Sequence, residues 1–206
     1  MLSYDFKKYA NPYHPFTFGI EIEVSNLASL VRSLTFFKGF YIKEDVSIRG
    51  GSTAELVSNP LTAEKLKRNV RALYKSGAIR EVNDSCGIHI HVSKKLLTTE
   101  KALKIEKFIN RDAHSMHIHP IAGRPRNAYW GGVEEYTRYR SVNTRPAYTN
   151  EVRIFASSTK SEWVERCIDV VSTMISYSNL DDSVPLEKFS QFFFKKFGYR
   201  HEDVKP

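Results

Sequence analysis

Three stretches of the chain alternate apolar and ionisable residues with a period of two: Phe18-Gly19-Ile20-Glu21-Ile22-Glu23-Val24, Ile88-His89-Ile90-His91-Val92 and Glu151-Val152-Arg153-Ile154. Successive side chains of a β-strand point to opposite faces, so each stretch has an apolar face and an ionisable one. On a helix the same order would scatter the charges around the cylinder. Three strands with this layout require a sheet with one buried face and one turned toward water or a ligand.

The rest of the sequence fills in that sheet. Further strands are predicted over 40–46, 53–58 and 136–142, with the first and third alternating stretches extending over 16–24 and 149–156. Arg49-Gly50-Gly51-Ser52 provides a hairpin turn between two of these strands. Helices are predicted over 26–38, capped at Asn26 with Leu27, Leu30, Val31 and Leu34 as its apolar stripe, and over 62–75, stopped at Gly77. Others are predicted from Thr98 to about 114, over 161–177 and over 185–197. The stretch 117–135 has little periodicity and reads as a long loop that could act as a lid. Strands joined partly by hairpins and partly by helices, without regular alternation, predict an α+β fold. Its sheet should be largely antiparallel, with helices on one face. With 206 residues and 41% hydrophobic content, the chain is expected to form one domain over 1–206.

The formal net charge of +8 suits a phosphate-bearing ligand. The basic residues are spread along the chain, so nucleic-acid binding is possible but not favoured. No run reaches the roughly 20 apolar residues that cross a bilayer, and the first residues lack a basic segment followed by an apolar one. Neither membrane insertion nor secretion is expected. Cys86 and Cys167 are too few for a disulfide framework, so the cytoplasm is the expected location. The aromatic run from Phe189 to Phe197 suits a dimer interface as well as a core, which leaves the oligomeric state open.

Carboxylates at i and i+2 of a strand lie roughly 6–7 Å apart, and a divalent cation between them would relieve their repulsion. Glu21 and Glu23 have that spacing. Carboxylates outnumber imidazoles here, which suits magnesium better than zinc. The planar fork of Arg153 beside Glu151 would suit a polyanion. Solvated strand faces, polar-face histidines and a surface ion pair account for the same residues one motif at a time.

Taken in chain order, the motifs resemble the amidoligase family. They are Phe18-Gly19-Ile20-Glu21-Ile22-Glu23, Glu44-Asp45-Val46-Ser47, Ala54-Glu55-Leu56-Val57-Ser58-Asn59-Pro60 and Ser85-Cys86-Gly87-Ile88-His89-Ile90-His91-Val92. Toward the C-terminus come Arg124-Pro125-Arg126-Asn127, Tyr139-Arg140-Ser141-Val142-Asn143 and Thr149-Asn150-Glu151-Val152-Arg153-Ile154-Phe155. Such enzymes are related to glutamate-cysteine ligases and glutamine synthetases. The resemblance implies a sheet of the glutamine synthetase type, with the active site on the face opposite the helices.

It also implies an ATP- and Mg2+-dependent carboxylate-amine ligase that joins a carboxylate and an amine substrate through an acyl phosphate. Glu21, Glu23, Glu55, His89 and Glu151 would hold magnesium. His91, Arg153 and Ser47 would face the nucleotide, while Arg153, with Arg126 or Arg140, would serve the transferred phosphoryl group or the carboxylate. Small stand-alone relatives of this kind are expected in phages. The chain departs from the pattern at Asp45-Val46-Ser47, where Val46 replaces a glycine, and at Trp130, where relatives often have a cysteine. A metal-dependent hydrolase, or an inactive ligase fold acting as a basic nucleic-acid-binding protein, are the competing readings.

Overall fold

The computed structural model describes residues 17–111, 115–124, 140–179 and 186–197. Its strands are β1 (Phe18–Val24), β2 (Asn26–Leu27), β3 (Phe36–Phe37), β4 (Phe40–Lys43), β5 (Ala54–Ser58), β6 (Ile79–Glu81), β7 (Gly87–Ser93), β8 (Val142–Asn143) and β9 (Thr149–Ala156). Its helices are α1 (Ser29–Arg32), α2 (Ala63–Lys75), α3 (Thr99–Asn110), α4 (Ser115–Ala122), α5 (Ser161–Ser178) and α6 (Leu186–Phe197). Seven strands form one antiparallel sheet in the order β3-β4-β5-β1-β7-β9-β8, and β2 pairs separately with β6. The fold is α+β, as the alternation predicts.

Strand β1 lies near the middle of the sheet. Ile22 faces Leu56 on one side and Ile88 on the other, and Ile20 faces Ile90. These residues share one core with Leu66, Val70 and Leu73 of α2, Ile105 and Phe108 of α3, and Val164, Ile168 and Val171 of α5. Helices therefore cover the apolar face, and the carboxylates and imidazoles are left on the other. Thr62 caps α2 by accepting from the Lys65 N–H, and Gly77 ends that helix at φ 68°. Thr98 caps α3 in the same way through Lys101. Phe189, Phe193 and Phe197 of the aromatic run in α6 are buried while Phe192 is exposed: Phe189 stacks on Tyr177 with ring centroids 4.0 Å apart, and Phe108 meets Phe189 and Phe193 edge-on. Among the described residues, no helix is long and apolar enough to cross a membrane.

The helix predicted over 26–38 does not form. Asn26 and Leu27 pair with β6, the Leu27 N–H donates to the Ser52 carbonyl, and only Ser29–Arg32 is helical. Leu30 and Leu34 of the supposed apolar stripe are exposed. The chain then turns through Lys38 and Gly39, with φ of 51° and 90°, so that Phe37 faces Phe40. Two positive-φ residues between paired strands form the tight hairpin that matches strand twist, and this pairing overrides a weak helical pattern. The predicted loop over 117–135 is also corrected at its start, because Ser115–Ala122 is helical and Ile118, Ile121 and Ala122 are in the core. The rest of that stretch, and 136–139 of the strand predicted over 136–142, lie outside the described residues; within it, β8 keeps Val142.

Gly39 provides a local test of the hairpin. A Cβ there would lie 2.3 Å from the Asn69 amide nitrogen. The amide can swing aside but the positive φ cannot, so Gly39→Ala should cost about 1–2 kcal/mol, measured by urea unfolding.

Candidate active site

The register of the sheet brings the ionisable groups together. Glu21 faces His89 across β1 and β7, Glu23 faces Glu55 across β1 and β5, and His91 faces Glu151 across β7 and β9. The side chains complete what the backbone begins. His89 Nδ1 lies 3.3 Å from Glu21 Oε2 and 3.4 Å from Glu151 Oε1, and its Nε2 lies 3.8 Å from Glu23 Oε1. His91 Nε2 lies 3.2 Å from Glu21 Oε1. The Glu55 carboxyl lies close enough to Glu21 to feel its charge and meets Lys43 Nζ at 3.3 Å. All five residues that the resemblance implies as metal ligands thus converge on one patch of the sheet. Within it, Glu21, His89 and Glu151 each offer a ligand atom, and these atoms all lie within 4.8 Å of one another.

The patch is largely shielded from solvent, which strengthens its electrostatics. Burial alone would raise the Glu21 carboxyl, but His91 and His89 outweigh it and hold Glu21 well below the usual carboxylate range. Glu151 is likewise lowered against its burial, by His91, His89 and Arg153. Glu55 goes the other way: burial and the Glu21 carboxylate push it up to about 7, with Lys43 opposing. For His91, burial favours the neutral ring, yet Glu21, Glu151 and Glu55 carry it up to about 9. The raised proton affinities of His91 and Glu55 both offset the crowding of the carboxylates. A divalent cation would do the same with hard oxygen ligands, and the residues present fit one.

Backbone and neighbouring residues orient these side chains. The Gly87 N–H donates to Glu23 Oε2 at 2.6 Å, and Asn143 Nδ2 donates to Glu151 Oε2 at 2.8 Å. The Arg153 guanidinium pairs with Glu151 Oε1, two residues back on the same face of β9. Lys43 had no signal in the sequence and Asn143 only its place in a motif, because the contact of each depends on strand order: Lys43 faces Glu55 and Asn143 faces Glu151.

The other candidates are placed differently. Ser47 is exposed in the loop after β4, where its N–H and hydroxyl both donate to Asp45 Oδ1 at 2.8 and 2.6 Å. That Asx turn needs no glycine. Among the described residues, positive φ outside glycine occurs at Lys38 and not at Val46. Arg140 makes a two-pronged ion pair with the buried Glu106 of α3, which ties its fork to the helical layer. Arg126 lies outside the described residues.

Residues 40–110 match the model of a family described as "Putative amidoligase enzyme". That match supports an amidoligase assignment. The matched segment runs from β4 through α3 and carries Glu55, His89 and His91 of the cluster. No curated protein matches the sequence. At the coarse level, the amidoligase match points to a ligase, and Glu21, Glu23, Glu151 and Arg153 lie outside the matched segment.

For a divalent cation taken up by these carboxylates, the raised proton affinities of Glu55 and His91 predict a pH-dependent affinity. Below pH 7 a cation must displace the Glu55 proton, so affinity for Mn2+ should rise about tenfold per pH unit up to about pH 7. It should keep rising more gently toward pH 9 as His91 loses its charge. Calorimetry in buffers of different ionisation enthalpy would show about one proton released per ion near pH 6. A flat profile would remove Glu55 from the ligand set.

Proposed function

We propose that this protein is an ATP-dependent carboxylate-amine ligase that uses magnesium. One observation carries the reading: Glu21, Glu23, Glu55, His89 and Glu151, from four strands, meet on a single sheet face with Arg153 beside them. Packing so many acidic groups together is costly unless a cation joins them. These five residues would hold magnesium, whose contribution when bound is to shield triphosphate charge.

A carboxylate resists attack because its own charge repels nucleophiles and oxide is a poor leaving group. In the reaction proposed, a substrate carboxylate oxygen attacks the γ-phosphorus of ATP, and ADP leaves. The resulting acyl phosphate is then attacked at carbon by a neutral amine, which gives an amide, inorganic phosphate and a proton. Arg153 would neutralise charge on the transferred phosphoryl group, a role supported by its pairing with Glu151 beside the cluster. His91 reaches the same space through Glu21, and its raised proton affinity supplies a second positive charge toward the phosphates. Burial of the cluster suits the acyl phosphate, which must be kept from water.

The direct test is binding of Mn2+ and of Mn2+ with a non-hydrolysable ATP analogue, followed by electron paramagnetic resonance. The proposal expects tight binding of the pair and slow exchange of the ion once the nucleotide is present. Tight zinc binding without any nucleotide affinity would instead favour a metal-bound water as nucleophile, and so a hydrolase.

A further inference from the structure

We propose that Arg124 is a positioning residue, one that fixes the β9 bulge and through it the aim of Arg153; this rests on the site reading above only in the use to which Arg153 is put. Between β7 and β9 the register slips. Ile88 faces Phe155 while Ile90 faces Val152, so two residues, Arg153 and Ile154, oppose the single His89. A bulge of this kind bends a strand, sharpens its twist and redirects a side chain, and it takes backbone groups out of the ladder. Here the carbonyls of both bulged residues are received by one side chain. Arg124 Nη2 donates to the Arg153 carbonyl at 2.9 Å, and Arg124 Nε donates to the Ile154 carbonyl at 3.4 Å. On the other side of the strand the Arg153 N–H donates to the Ser141 carbonyl at 3.0 Å.

Several features of the chain seat this guanidinium. Gly123 ends α4 at φ 73°, and a Cβ there would lie 2.5 Å from the Trp163 ring, so only glycine lets the chain pass this close and turn toward β9. A Cβ on Gly87 would lie 3.0 Å from Arg124 Nη2 and 3.2 Å from His89 Nε2, so a second glycine clears the ground between Arg124 and the cluster. Arg124 itself is 9% exposed. Burying a guanidinium is expensive, and a planar fork that spans two successive carbonyls cannot be imitated by an ammonium. A neutral donor would have satisfied the bulge more cheaply if satisfaction were the whole purpose. What the charged fork adds is rigidity in the strand segment from which Arg153 projects.

The test is nuclear magnetic resonance of the arginine Nε–H groups in the full chain, with Arg153 assigned by its loss in Arg153→Lys. In the wild type the Arg153 signal is expected to be sharp and slow to exchange. In Arg124→Lys it should broaden or exchange at least about tenfold faster, while the signal of Arg71, paired with Glu165 on the helical side, stays as it was. Arg124→Gln, which loses both the charge and the reach of the fork, should show a similar loss. An unchanged Arg153 signal in both variants would overturn the proposal, as would failure of both to fold, since a positioning role predicts a local loss.

Binding provides the second readout. Affinity for Mn2+ alone should change less than threefold in Arg124→Lys, affinity for the Mn2+ complex of the ATP analogue should fall about tenfold, and Arg124→Lys with Arg153→Lys should be no worse than the weaker single variant. Losses that multiply in the double variant would make Arg124 independent of Arg153 and sink the inference. If the wild type binds no nucleotide at all, the ligase reading fails, and the resonance experiment alone still decides the role of Arg124.

Discussion

Glu21→Gln is expected to lower magnesium-supported ATP turnover by about 10³-fold or more, while the melting temperature moves by less than about 5 °C. Glu21 is the hub of the cluster, in contact with His89, His91 and Glu55. Removing one member of a buried ion pair usually costs several kcal/mol, because the partner is left charged and unpaired. Two neighbours can adjust here. His91 owes its raised proton affinity first to Glu21 and can revert to a neutral ring, and Glu55 loses the carboxylate that, after burial, did most to raise it. Both changes relieve strain in the folded state, so stability should survive a substitution that the cation cannot. Titration of the His91 ring by proton resonance would show the midpoint falling from about 9 toward the ordinary imidazole range. Turnover retained at near wild-type rate would remove Glu21 from the chemistry.

Period-two alternation carried most of this site in the sequence, because strand geometry converts spacing directly into facing. Glu21 with Glu23, His89 with His91 and Glu151 with Arg153 needed no tertiary information to be placed on one side. Strand order brought in what alternation could not. Lys43 becomes part of the site because β4 pairs with β5, and Asn143 because β8 lies beside β9. Arg124 was visible as a residue of a motif, but its role depends on a register slip that no local pattern announces. The error at 26–38 has a similar origin. Apolar residues at helical spacing were present, but pairing of Asn26 and Leu27 with β6 and the Lys38-Gly39 turn decided the backbone. Arg140 was legible as a motif residue but its partner was not: the buried Glu106, unremarkable in sequence, binds its fork with both oxygens.

Trp163→Ala should be the most damaging core substitution for both stability and the site. Trp163 is 1% exposed, and its Nε1 donates to the Ala156 carbonyl at 2.9 Å. Deleting a buried indole costs about 3–5 kcal/mol through lost burial and a residual cavity, with about 1 kcal/mol more for the abandoned carbonyl. In a domain of this size that lowers the melting temperature by about 10 °C or more. The loss should not stop at stability. Gly123 packs against the edge of this ring, so a cavity there frees the turn that delivers Arg124 to the bulge. Leu66→Ala, a buried truncation in α2, provides the comparison. Measured well below both melting points, Trp163→Ala should weaken nucleotide binding several-fold while Leu66→Ala leaves it unchanged. Trp163→Phe keeps most of the ring, and should lose about 1–2 kcal/mol while retaining that binding. Equal effects of Trp163→Ala and Leu66→Ala on binding would show that the helical layer supports the site only by keeping the chain folded.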